Sequence, residues 1–165
     1  MPATYEPITT TTLSTATASV TFSSISGSYT DLVLVINAGA SALEDIGCRL
    51  NSDTGSNYST TIFAGNGSSP STGRISNATN IGLTSNAYLP TSVSSAHIVH
   101  FMNYSNSTTY KTVLCRGASA SSGTEAIVGL WRNTSAITTI YLYGRNSGYN
   151  FLSGSTFTLY GIKAA

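Results

Sequence analysis

Two histidines, six carboxylates and two cysteines are the side chains of this sequence suited to acid–base, nucleophilic or metal chemistry. His97 and His100 fall three apart in a stretch, Ala96 to Tyr104, that reads as a strand. Successive strand side chains point to opposite faces, so an odd step sends the two rings apart. One ring is expected to face the core and find a hydrogen bond, the other to face solvent. Only a bulge would bring both to one metal. The carboxylates are Glu6, Asp31, Glu44, Asp45, Asp53 and Glu125. A glycosidase needs two of them flanking one bond. Glu44 and Asp45 sit in a loop and the others lie beside turn or strand-end signals, so only the fold could bring a pair together.

Cys48 and Cys115 lack the close pairing of zinc ligands. Two buried free thiols are expected in preference to one disulfide. Asn51-Ser52-Asp53-Thr54-Gly55 resembles the start of a calcium loop, but Ile62 stands where the bidentate acid belongs. An Asx-type turn between two strands is the better reading. No nucleophile elbow, phosphate loop or dinucleotide fingerprint occurs. No catalytic residue, metal or cofactor is therefore expected, and the chain reads as a structural or binding module rather than an enzyme.

The elements that position these residues are strands. The 165-residue chain fits one domain and is 41% hydrophobic but only 8% charged, against about 25% in an average soluble domain. Ser and Thr fill the gap, at about a third of the chain. Thr, Val, Ile, Tyr and Phe suit a pleated, half-buried surface, and Gly, Ser and Asn punctuate turns. The net charge of +1 is scattered, which argues against nucleic-acid and anionic-membrane partners. No apolar stretch nears the ~20 residues of a membrane helix. The start of the chain has neither the basic nor the apolar region of a secretory signal. The sequence thus predicts folding in a cytosol, with exit only by another route. Its Asn-X-Ser/Thr sites then imply no glycosylation.

Val20 and Phe22 alternate on one face, and the run Leu32 to Ile36 suggests a strand buried on both faces. Ile46 to Asn51 and Tyr58 to Ala64 follow, then an irregular region, Gly65 to Leu89, read as long loops with a short strand. Strands resume at Ala96 to Tyr104, Tyr110 to Gly117, Thr124 to Arg132, Ala136 to Tyr143 and Ser155 to Lys163. The fold class is all-β, an antiparallel β-sandwich, jelly-roll-like, of about nine or ten strands. Val20–Phe22 and Phe157–Leu159 share an alternation and are expected to pair.

Residues 1–12 read as an extended N-terminal arm ahead of a single sandwich domain, 13–165. A frayed tail or first edge strand is the plainer alternative. As an arm, it would dock Tyr5, Pro7 and Ile8 on a neighbour. Of the ten tyrosines, Tyr141, Tyr143 and Tyr149 gather near Arg145, while Tyr58, Tyr104 and Tyr110 border loops. Tyr suits protein interfaces and sugar stacking, although most such residues are half-buried sandwich edges. Tyr5, Pro7, Ile8, Tyr141, Tyr143 and Arg145 are the candidate interface residues.

Several stretches carry a resemblance. They are Met1-Pro-Ala-Thr-Tyr5-Glu6-Pro7-Ile8, Ser28-Tyr29-Thr30-Asp31-Leu32, Arg49-Leu50-Asn51-Ser52-Asp53-Thr54-Gly55-Ser56-Asn57-Tyr58-Ser59 and Met102-Asn103-Tyr104-Ser105-Asn106. Further pieces are Tyr110-Lys111-Thr112-Val113-Leu114, Gly129-Leu130-Trp131-Arg132 and the close, Gly154 to Lys163. Together they resemble a family of small bacteriophage virion proteins, well represented among phages of cyanobacteria and other aquatic bacteria. The resemblance implies a jelly-roll-like sandwich on the virion. It implies a capsid cement or decoration protein on the shell exterior, commonly a homotrimer, that binds the major capsid protein. The alternative is a tail-fibre or receptor-binding module that recognises host glycans through loops with Tyr58, Tyr104 or Tyr149. A hydrolase acting on host polysaccharide comes third.

Overall fold

The computed structural model describes residues 4–92, 94–145 and 148–163. These form twelve strands and no helix. In chain order they are β1 (Tyr5–Thr12), β2 (Ser19–Phe22), β3 (Asp31–Ala38), β4 (Ile46–Leu50), β5 (Tyr58–Gly65) and β6 (Pro70–Ala78). Then come β7 (Ile81–Gly82), β8 (Ser95–Met102), β9 (Lys111–Ser119), β10 (Gly123–Trp131), β11 (Ile140–Gly144) and β12 (Thr156–Ile162). All pairings are antiparallel. One sheet has eight strands in the order β1-β12-β3-β8-β9-β10-β5-β6; the other has four, β2-β11-β4-β7.

The two inner faces meet in one core. Leu32, Leu34 and Ile36 of β3, Phe101, Val113, Ile127 and Phe157 of the larger sheet, and Ile46, Leu50 and Leu142 of the smaller are all solvent-free. Burial of each such side chain stabilises by about 1.5–3 kcal/mol. Phe151 and Phe157 meet edge to face at 5.1 Å, the geometry that the ring quadrupoles favour.

Three expectations change, and for the N-terminal stretch the edge-strand alternative is the one observed. The strand count is twelve, not nine or ten, because β1, β6 and β7 are strands. The region 65–89 is not mainly loop: β6 pairs with β5 across the Asn66–Ser69 turn, where Asn66 Oδ1 accepts from the Ser68 and Ser69 N–H groups at 3.0 Å each. As an edge strand β6 buries little, so its residues show no apolar alternation. Residues 5–12 form the opposite edge strand, paired with β12, while residues 1–3 lie outside the described residues. Val20–Phe22 and Phe157–Leu159 belong to different sheets; β2 pairs with β11, and β12 with β1 and β3. Alternation specifies which face is apolar but not which neighbour shares the backbone bonds.

Strand β3 is buried on both faces only in its first half. Leu32, Leu34 and Ile36 point inward, and on the other side Val33 is buried while Val35 is 36% exposed. Its continuous apolar run marks a sheet with an apolar outer surface.

Candidate functional site

The histidines separate as an odd strand step requires. His97 is buried, its Nε2 2.9 Å from Ser95 Oγ, with Nδ1 lacking a partner. Burial depresses its pKa to about 4. His100 lies outward, its Nε2 3.1 Å from Asp31 Oδ2. Both thiols are free and buried. Asp53 does form the Asx turn: its Oδ1 accepts from Gly55 N–H at 2.8 Å. Among the described residues, no three His, Cys, Asp or Glu side chains converge as metal ligands would. Ser95 and His97 touch each other, but at 2% and 0% exposure no substrate atom reaches them.

What the strands build instead is a surface. Directly opposed residues share a face, so register identifies its rows. Val33, His100, Leu114, Val128, Thr61 and Arg74 form one outward row from β3 to β6. Val35, Ile98, Arg116, Ala126, Phe63 and Thr72 form the next. Val35, Leu114, Val128 and Phe63 are 36%, 38%, 39% and 52% exposed. Four exposed apolar side chains across one sheet face make a patch of the kind that marks an interaction surface. Towards β1 the face dips into a cleft of about 90 Å³ lined by Tyr5, Val33, Ile98, His100, Leu114 and Arg116. The missed signal lay in the runs Val113–Cys115 and Ala126–Val128, which are apolar on both strand faces.

Charge on this face is uneven because the molecule uses its carboxylates internally. Glu6 pairs with Lys163 at 3.0 Å, Asp31 with His100, and Asp45 with Arg145 at 3.6 Å. Asp53 accepts from Trp131, Asn57 and Gly55; Glu125 accepts from the Ser85 and Asn86 N–H groups. Glu44 Oε1 accepts from Asp45 N–H. Arg49 and Arg132 donate to carbonyls, and buried Lys111 donates to those of Thr109 and Thr134. Arg74 and Arg116 alone, among the charged groups of the described residues, have no hydrogen bond or ion pair; both are exposed on the outer face.

The six interface candidates divide between the sheets. Tyr5 and Pro7 are exposed on the outer face of β1, whereas Ile8 is half-buried against the core beside a bulge. Tyr141, Tyr143 and Arg145 come together on the outside of the smaller sheet. The Tyr141 and Tyr143 rings stack at 5.3 Å, and the Arg49 guanidinium lies 4.8 Å from the Tyr143 centroid. Gly47 gives this ring its seat, since an added Cβ would come within 2.8 Å of Tyr143 Cζ. Arg49, Ser52, Thr54 and Tyr141 line a neighbouring cleft of about 230 Å³.

Tyr58 and Tyr104 are core residues, fully buried, so neither borders a glycan site. Their hydroxyls are absorbed by backbone: Tyr58 donates to Asp53 O at 3.0 Å, and Tyr104 donates to Ser26 O. Tyr149 is 40% exposed. Comparison with protein-family models and with curated proteins returns no match.

Proposed function

We propose that the chain is a bacteriophage virion structural protein with a jelly-roll fold. In this reading it is a capsid cement or decoration protein that binds major capsid subunits on the shell exterior as a homotrimer. The observation that carries the reading is the apolar outer face of the eight-stranded sheet, with Val35, Leu114, Val128 and Phe63 open to solvent. A surface of that kind gains free energy by being covered with protein. The low charge, 8% of residues, limits repulsion among closely spaced copies.

Strand order supports the jelly roll. Setting aside the hairpins β5–β6 and β9–β10 leaves β1-β12-β3-β8 and β2-β11-β4-β7. Consecutive strands of these eight alternate between the sheets except at β4 and β7, which pair within the smaller sheet, as in a double Greek key. The hairpins extend one sheet beyond β8 and thereby build most of the apolar face.

Particles made without the chain test the role. The reading expects multi-copy presence on purified heads, and heads without it that burst sooner under heat and osmotic shock. Heads that survive equally well without it would remove the cement role.

A second reading is favoured by one specific feature, the Tyr141–Tyr143 stack beside the hydroxyl-lined cleft. Aromatic faces with hydroxyl neighbours suit sugar rings, as in a tail-fibre or receptor-binding module. Binding on an array of host-envelope glycans, lost in Tyr141→Ala, with the protein localised at the tail, would favour it over the cement role. A flat array with head localisation would exclude it.

A further inference from the structure

We propose that the outer face of the eight-stranded sheet docks a partner protein surface presenting carboxylates among apolar side chains, and that Arg116 and Arg74 receive those carboxylates. The inference rests on the virion-structural reading and specifies which face is used and what chemistry it meets. Arg116 on β9 and Arg74 on β6 lie three strand spacings and one side-chain row apart, about 16 Å. Phe63, Ala126 and Val128 lie between them. Arg116 is thus set within the apolar patch, and Arg74 stands at its rim on the edge strand.

Three classes of occupant compete for such a face. A second copy of the chain fits poorly, because all six of its side-chain carboxylates already have partners at home. A polyanion such as a nucleic acid is bound by neutralising many phosphates, and this face carries only two unpaired guanidiniums, one within the apolar patch and one at its rim. An acidic, partly apolar protein surface matches both features. Guanidinium forks bind carboxylates bidentately, and arginine and aromatic residues are enriched at protein interfaces while lysine is depleted. The face has that composition: its two unpaired cations are both arginines, and the most exposed large apolar side chain between them is Phe63.

The test uses phage heads assembled without the chain, to which purified full-length protein is added back and the pelleted fraction measured against concentration. Arg116→Glu and Arg74→Glu place a like charge against the partner's carboxylates, and each is expected to weaken binding at least about tenfold. Arg116→Lys keeps the charge and is expected to bind better than Arg116→Glu. Thr21→Glu, exposed on the outside of the smaller sheet, is expected to bind as wild type. All three sites are exposed, so matched thermal melts of the four variants verify folding.

Wild-type binding by both glutamate variants overturns the inference and leaves the virion reading standing. Loss of binding in Thr21→Glu instead of the arginine variants also overturns it, by moving the contact to the other sheet. Wild-type protein that does not bind the heads removes the virion reading and the inference together. Self-association in sedimentation, or pelleting with phosphatidylglycerol vesicles, abolished by Arg116→Glu would give the face to a second copy or to lipid and would overturn the proposal.

Discussion

Trp131 Nε1 donates to Asp53 Oδ2 at 2.7 Å, which ties the last residue of β10 to the turn leaving β4 in the opposite sheet. Asn57 Nδ2 and Gly55 N–H donate to the same carboxylate, and Tyr58 stacks on Trp131 at 6.3 Å. One carboxylate therefore organises a turn, a buried indole and the start of β5.

Asp53→Ala is expected to destabilise the fold by about 1–3 kcal/mol, because it leaves the buried indole N–H without an acceptor. Asp53→Asn keeps an acceptor and should cost less. Burial pushes the Asp53 carboxyl up, but the Trp131, Asn57 and Gly55 donors together hold it below its ordinary value. Stability from this group is thus present above the unfolded value near 4 and lost as pH falls through the lower folded value. Urea titrations followed by Trp131 fluorescence at pH 7 and pH 3 measure both effects; an Asp53→Ala variant as stable as wild type at pH 7 would refute the tie.

His97 gives a second acid-sensitive element at higher pH. Its folded pKa of about 4 lies below the ordinary 6.5, so the unfolded chain takes up the proton first. Stability is whole above about pH 6.5 and falls towards about pH 4, by about 3 kcal/mol. Glu125, two strands away on the same inner row across Gly117, is pushed up by burial and works in the opposite sense. The measurement is therefore the difference between wild type and His97→Gln, which should shrink steadily as pH drops from 6.5 to 4. A constant difference would show that His97 does not titrate in this window.

The sheets approach most closely where β10 passes β7. A Cβ on Gly129 would come within 2.5 Å of Ile81 Cγ2. Gly129→Ala is expected to cost about 1–3 kcal/mol through overpacking. Ile81→Ala removes the obstructing methyl, so the double variant should be more stable than the sum of the two singles predicts, by at least about 0.5 kcal/mol. Strict additivity in denaturant melts would rule out the contact.

Burial pushes the thiols of both Cys48 and Cys115 up, far from the thiolate form that reacts. Native protein is expected to take up no iodoacetamide at pH 8, and unfolded protein to take up two equivalents, read by intact mass. Fast native labelling of either cysteine would mean that the core opens readily.

The residues alone determined the β class, the separation of His97 from His100 and the approximate positions of β2 to β5 and β8 to β12. These follow from the period-two geometry of a strand, which acts over a few residues. Strand β6 was not legible, because an edge strand buries neither face and needs no apolar pattern. Tyr58 and Tyr104 read as loop borders because composition does not reveal that backbone carbonyls take up their hydroxyls, that of Asp53 in the preceding turn for Tyr58 and that of Ser26, far off in the chain, for Tyr104. Tertiary structure alone decided that β12 takes β1 rather than β2, since alternation is indifferent to partner. It also decided the candidate surface: Arg74 and Arg116 are far apart in the chain and share a face only because β5–β6 and β9–β10 enter one sheet. Composition made the surface poor in charge, and pairing chose where the remaining unpaired charge would stand.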